Sequence, residues 1–178
     1  KKNKYFFTSK EDLNIDNYKK LQLFVKKNKI TLIINCAAYT NVDKSEVNSN
    51  IANKVNNLAL KKIALLCKNN NLYLVHISTD YVFNSNKKKY FNEIARVNPK
   101  NMYGISKLGG EKQILEIKPK AIIIRTSWLY SEYSKNFVKT IYNKIVNGQD
   151  IVLKNNSFGS PTNANDLAKF IFIIANNP

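Results

Sequence analysis

Ile30-Thr31-Leu32-Ile33-Ile34-Asn35 is a short, nearly continuous apolar run. A strand exposed on one face alternates apolar and polar residues; one covered on both faces does not. Ile30 to Asn35 therefore reads as a strand of a parallel sheet. A parallel neighbour needs a crossover long enough for a helix. The chain supplies one: from about Asn48 to Asn69, Ile51, Val55, Leu58, Ala59, Leu65 and Leu66 recur at helical spacing. Leu72 to Ser78 is then the next strand.

Outward from this unit the alternation continues. Asp16 is placed to cap a helix from Asn17 to about Lys27, with Leu21, Phe24 and Val25 facing inward. Asp80 to Lys100 is loop-like. Asn101 to Ile117 is helical and ends before Pro119. Ala121 to Arg125 carries three consecutive Ile and is a third strong strand. Phe137 to Asn147 is a helix stopped by Gly148, Ile151 to Leu153 a short strand, and Asp166 to Ala175 a final helix. Alternating strand and helix predicts an α/β fold, a Rossmann-like doubly wound parallel sheet with helices on both faces. There is no internal repeat and no linker, and 178 residues suffice for one domain with a real core.

Composition narrows the function classes. No apolar run approaches the ~18 residues of a membrane span, and no signal peptide precedes the first helix, so neither a membrane partner nor secretion is expected. Cys36 and Cys67 form no CxxC pair and read as free thiols of a cytoplasmic protein that pack as small hydrophobes. With one His and no Cys/His cluster, no metal site is expected. The formal charge of +17 invites a nucleic-acid reading. However, the cations are nearly all Lys; Arg96 and Arg125 are the only Arg. Asn is equally abundant, as in Asn69-Asn70-Asn71, which points to a compositional bias spread over the surface. Lys87-Lys88-Lys89, the densest cluster, reads as a solvated loop. No nucleic-acid partner is expected, although the positive field would attract an anionic nucleotide sugar.

The chemistry concentrates in Tyr103-Gly104-Ile105-Ser106-Lys107 and His76-Ile77-Ser78-Thr79-Asp80-Tyr81. Residues four apart on a helix share a face, one turn apart. A fixed ammonium beside a phenol favours the phenolate and lowers a pKa that is otherwise about 10. Thr79, just past an apolar strand, can reach the same face. Reduction of a carbonyl needs such a proton donor opposite a hydride. The YxxxK spacing alone is weak evidence, since Tyr and Lys are abundant here and an amphipathic helix with a solvated Lys would look the same.

Other blocks occur in a fixed order around it: Asn35-Cys36-Ala37-Ala38-Tyr39-Thr40-Asn41-Val42-Asp43-Lys44-Ser45-Glu46, then HISTDYVF, NPKNMYGISKLGGE, Arg125-Thr126-Ser127-Trp128 and Phe158-Gly159-Ser160-Pro161-Thr162. From about Asp12 to the last residues the series closely resembles the dTDP-4-dehydrorhamnose reductase family of extended short-chain dehydrogenases/reductases. The resemblance implies NAD(P)H-dependent reduction of dTDP-4-dehydro-L-rhamnose to dTDP-L-rhamnose, a step of cell-surface polysaccharide biosynthesis, with NADPH or NADH as cofactor. It implies Tyr103 as proton donor, Lys107 as its partner and ligand of the nicotinamide ribose, and Thr79 as holder of the substrate carbonyl. It places Ala37, Ala38 and Thr40 against the dinucleotide and Asn14-Ile15 beside the adenine. Asp80, Tyr81 and Trp128 would meet the sugar; Tyr81 as a lid over the core and Trp128 as a core-edge anchor are the alternatives. The family usually has Asp where this chain has Asn14, and often Asp and Gln where it has Asn155-Asn156-Ser157. Asp43, Lys44 and Glu46 read as structural.

All 5 Gly lie at or after Gly104, so no Gly-rich phosphate turn precedes the first helix. The sequence reads as a fragment: residues 1–178 as a single incomplete NAD(P)-binding domain with part of the substrate-binding region, about 126–178. A first βα unit of roughly 30 residues or fewer and much of the C-terminal part would be lacking. Weak cofactor binding by these residues alone is the expectation. A homodimer and a supporting Mg2+ stay open, the metal without support from the sequence. So do two other functions: a nucleotide-sugar epimerase or dehydratase, with Asp80 as acid, and a non-catalytic binding protein like the regulatory subunit of methionine adenosyltransferase.

Overall fold

The computed structural model describes residues 4–83, 90–153 and 158–177. Lys87-Lys88-Lys89 and Asn155-Asn156-Ser157 lie outside the described residues. Helix α1 (Tyr18–Asn28) leads into strand β1 (Leu32–Asn35). A broken helical segment follows: α2 (Val42–Val47), α3 (Ser49–Asn53), a π-helical turn (Lys54–Leu58) and α4 (Ala59–Asn69). Strand β2 (Tyr73–Thr79) runs into a 3-10 turn (Asp80–Val82). Then come α5 (Met102–Ile117), β3 (Lys120–Thr126), β4 (Leu129–Tyr130), α6 (Phe137–Val146), β5 (Thr162–Asn163) and α7 (Ala164–Asn176).

The main sheet is parallel, in the order β1-β2-β3. β2 is central, and it is buried on alternate residues of both faces: Leu74, His76 and Ser78 on one, Val75 and Thr79 on the other. This is the two-sided cover that a doubly wound sheet requires, with helices on both sides. β4 and β5 pair in a second, short parallel sheet.

Leu21 and Val25 of α1, Leu60, Ile63, Leu66 and Cys67 of α4, Leu74 of β2 and Ile114 of α5 share one core. Leu60 and Leu66 are fully buried, each worth ~1.5–3 kcal/mol of transfer free energy. Helix α5 can lie close to the π-turn because small residues face it. A Cβ on Gly110 would collide with the Asn56 carbonyl oxygen, and one on Gly104 with that of Tyr81. After α5, Lys118 takes a left-handed φ of 54° and Pro119 follows, which ends the helix where the sequence predicts.

Some expectations are corrected. Asn17, not Asp16, caps α1 by accepting from the Lys20 amide at 3.1 Å. The Asp16 carboxylate is drawn away by two cations, Lys54 at 2.8 Å and Lys62 at 2.6 Å. The helix expected over Asn48 to Asn69 forms in pieces, with a π-turn at Lys54–Leu58, and Ile51, Leu58 and Leu65, expected on its inner face, are exposed. β1 is half-buried rather than covered throughout, because it is an edge of the described sheet. Ile151 to Leu153 forms no strand; β4 pairs instead with Thr162–Asn163.

Candidate active site

Tyr103 and Lys107 sit one turn apart on α5, whose first turn is fixed twice. Asn101 caps it, accepting from the Gly104 amide at 2.7 Å. Glu46 of α2 accepts from the Met102 amide at 2.8 Å, a structural role of the kind the sequence suggests for that block. The Tyr103 and Thr79 side chains face each other closely enough for Thr79 to lower the Tyr103 pKa. Thr79 Oγ1 also accepts from the Tyr81 amide and donates to Asp80 Oδ1, each at 3.2 Å. Asp80 Oδ2 accepts from Ser127 Oγ at 2.7 Å, which ties the end of β2 to the residue before Trp128. The Tyr81 and Tyr103 rings meet edge to face at 5.6 Å. Thr79, Asp80, Tyr81 and Tyr103 thus form one cluster at the C-terminal end of the sheet, where open α/β sheets bind ligands, with Trp128 beside it.

Trp128 is half-buried at a left-handed φ of 45°. Its indole packs on Phe137 at 5.0 Å and lies so close to Gly159 that a Cβ there would sit 2.7 Å from Nε1. The RTSW and FGSPT blocks, distant in sequence, therefore meet at this ring.

Lys107 is buried and directed into the sheet: Nζ donates to the Ile77 carbonyl at 2.6 Å and lies 3.5 Å from His76 Nε2. Burial lowers its pKa from 10.5 to about 8, opposed by Glu111 and Cys36. Tyr103 is pushed above its ordinary value by burial first, with Thr79 lowering it and Asp80 and Tyr81 raising it further. The lowering expected from Lys107 is not found, because the ammonium faces β2. A raised pKa keeps the phenol protonated, which is the form a proton donor needs.

The loop after β1 is a shelf of small residues. Ala37 and Thr40 are exposed and Ala38 half-buried. The buried Asn56 of the π-turn holds this loop: Oδ1 accepts from the Tyr39 amide at 2.8 Å, and Nδ2 donates to the Tyr39 carbonyl and Ser106 Oγ at 3.0 Å. Asn14 and Ile15 lie on the loop before α1. Asn14 Oδ1 accepts from the Asp16 amide at 2.9 Å, and Ile15 packs partly buried against the core.

Several supporting residues lie within the quoted blocks but are given no role by the sequence reading. Glu111, 1 % exposed, accepts from Ser78 Oγ at 2.5 Å and from Arg125 through Nε at 3.0 Å and Nη2 at 2.6 Å. Arg125 also covers the Phe83 ring, which stacks on Phe91. The chain's single His and the buried Asn35 beside it complete the set. Each is a polar residue at the start of a quoted block, inside or at the end of an apolar strand. Among the described residues no group of three His, Cys, Asp or Glu is gathered to hold a metal, and no helix is long and apolar enough to cross a membrane.

The RmlD substrate binding domain family matches residues 1–178. The chain is 36% identical over 164 residues to the dTDP-4-dehydrorhamnose reductase of Aggregatibacter actinomycetemcomitans, covering 92% of this chain and 56% of that protein. It is 37% identical over 158 residues to that of Shigella flexneri, covering 86% and 53%. Among solved structures, dTDP-4-dehydrorhamnose reductase from Bacillus anthracis in complex with NADP superposes with a TM-score of 0.88 at 36% identity, over 94% of this chain and 60% of that one. The ortholog from Clostridium acetobutylicum gives 0.87 at 36%, over 96% and 60%. The chain spans about half the length of the curated relatives it matches. With the whole of its sequence matched and its fold shared, the chain belongs to the RmlD substrate binding domain family.

Proposed function

We propose that this chain serves in the NAD(P)H-dependent reduction of the 4-keto group of dTDP-4-dehydro-L-rhamnose to dTDP-L-rhamnose. The observation that carries the reading is the gathering of Tyr103 and Thr79 around Tyr81, whose ring meets that of Tyr103 and whose amide donates to Thr79 Oγ1, with Lys107 one turn along the same helix. A carbonyl oxygen received by both hydroxyls would be oriented for protonation, and a proton donor so placed contributes ~100- to 10,000-fold.

The donor set fits a nicotinamide dinucleotide. An ammonium has three protons; Lys107 directs two toward Ile77 and His76 and has one left for a ribose hydroxyl. Ala37 and Ala38 allow close approach to the backbone, and Asn56 holds that backbone still. Bound there, the reduced cofactor supplies hydride. Tyr103 supplies the proton to the substrate oxygen, and its phenolate is then stabilised by Thr79. Trp128 would cover the sugar and exclude water. Asp80 positions the turn: both its oxygens accept hydrogen bonds, from Thr79 and Ser127, which favours reduction over a dehydratase that uses it as a free acid. The presence of Thr79, Tyr103 and Lys107 in one cluster favours an enzyme over a binding protein. The reading places the reaction in the cytoplasm, in keeping with two free cysteines.

The test is to supply dTDP-4-dehydro-L-rhamnose with NADPH or NADH to the full-length protein. The expected outcome is reduced cofactor lost in step with dTDP-L-rhamnose formed. Water elimination or epimerisation without net cofactor oxidation would support the other enzyme reading.

A further inference from the structure

We propose that His76 is a positioning residue for Lys107: held in place by Asn35, its imidazole offers Nε2 to the Lys107 ammonium and fixes where that ammonium points. The proposal rests on the reading of Lys107 as a catalytic residue.

His76 and Asn35 are directly paired neighbours on β2 and β1. His76 is 0 % exposed and Asn35 4 %. Asn35 Nδ2 lies 3.0 Å from His76 Nδ1, and Lys107 Nζ lies 3.5 Å from Nε2. A polar chain therefore crosses from β1 through β2 to α5 inside otherwise apolar strands. A core histidine that only needed satisfying could use one partner; this ring has one on each nitrogen, and the second is the ammonium of the YxxxK pair.

Proton accounting fixes the direction. The ring is neutral, since burial and the neighbouring ammonium hold its pKa down at about 3. A neutral imidazole has one N–H. The ammonium only donates, so Nε2 must be the bare nitrogen and Nδ1 must carry the proton. The Asn35 amide must then be flipped from the orientation in which Nδ2 faces Nδ1, so that its carbonyl oxygen accepts from the Nδ1 proton. The other titratable groups around Lys107 are Glu111 on α5 and Cys36 after β1, with Tyr103 one turn back. Glu111 is engaged by Arg125 and Ser78; Cys36 is exposed rather than packed as a small hydrophobe like Cys67, and partial desolvation still raises its pKa, so that thiol stays protonated. His76 is the side chain that contacts the ammonium directly.

Two measurements on the full-length protein test this. First, 15N spectra of the imidazole, assigned by loss of the signal in His76→Gln, should show the proton on Nδ1. Lys107→Met should shift the Nε2 resonance. A proton on Nε2, or no response to Lys107→Met, overturns the proposal. Second, His76→Phe removes the acceptor, so kcat/KM should fall about 10- to 100-fold. The alkaline limb of its pH profile should move down by about one pH unit. His76→Gln, which can place an acceptor near Nε2, should restore the limb. A folded His76→Phe protein with an unmoved limb, or a Gln variant no better than Phe, overturns it. If the wild type shows no turnover, the reductase reading fails. The imidazole spectrum and its response to Lys107→Met then decide the contact alone.

Discussion

Tyr103 and Thr79 face each other across the gap between the first turn of α5 and the end of β2, close enough for Thr79 to lower the Tyr103 pKa. Thr79 Oγ1 also serves Tyr81 and Asp80, so the hydroxyl is fixed before any substrate arrives. Thr79→Val keeps the shape and removes that group. Loss of one preorganised donor to a developing oxyanion lowers kcat by about 100-fold or more. Thr79→Ser should recover most of it. Steady-state rates that change less than about threefold in the Val variant would remove Thr79 from the chemistry.

Lys107 gives the site a pH dependence with a definite sign. Its pKa is lowered to about 8 by burial, so the ammonium is present at neutral pH and lost as pH rises through about 8. Turnover should fall along that limb. A profile flat from pH 7 to about 9.5, well above the shifted value, would contradict the placement of this ammonium.

Much of the fold was legible because period and burial agree. Strands flanking the broken helical segment and a helix ending before Pro119 followed from local pattern. What stayed hidden depends on contacts. The π-turn at Lys54–Leu58 has no distinct sequence signature, and Ile51, Leu58 and Leu65, read as inward-facing, are exposed. Asp16 looked like a cap because its cationic partners lie far along the chain. At the site, Tyr103, Lys107 and Thr79 were readable from spacing and blocks. His76 and Asn35 were not assigned roles, since their meaning lies in pairs 31 and 41 residues apart.

Glu111 and Arg125 form a bidentate ion pair with the carboxylate almost fully buried. Glu111→Gln leaves the guanidinium without its counter-charge, and breaking such a pair costs about 3–5 kcal/mol. Arg125→Lys should also destabilise, since an ammonium cannot replace the two-pronged contact. Urea denaturation measures both; a change under about 1 kcal/mol for Glu111→Gln would mean the pair behaves as a surface bridge.

Gly104 and Gly159 separate stability from specificity. A methyl group on Gly104 would strike the Tyr81 backbone, so Gly104→Ala should displace the turn carrying Tyr103 and lower both stability, by ~1–3 kcal/mol, and kcat. A methyl group on Gly159 meets the Trp128 indole and Ser127 Oγ. Gly159→Ala should raise KM for the nucleotide sugar more than it lowers kcat, and Trp128→Ala should do the same. Equal effects of both substitutions on cofactor affinity would argue against a sugar-facing role for the indole.

The central claim is that Tyr103 delivers the proton. In the full-length protein, Tyr103→Phe removes a single oxygen and leaves Lys107 and its contacts with β2 in place. The decisive measurement is the single-turnover rate of NADPH oxidation by dTDP-4-dehydro-L-rhamnose, alongside the cofactor Kd. The account predicts a rate lower by ~100- to 10,000-fold with Kd unchanged within about threefold. A rate within about threefold of wild type would contradict it.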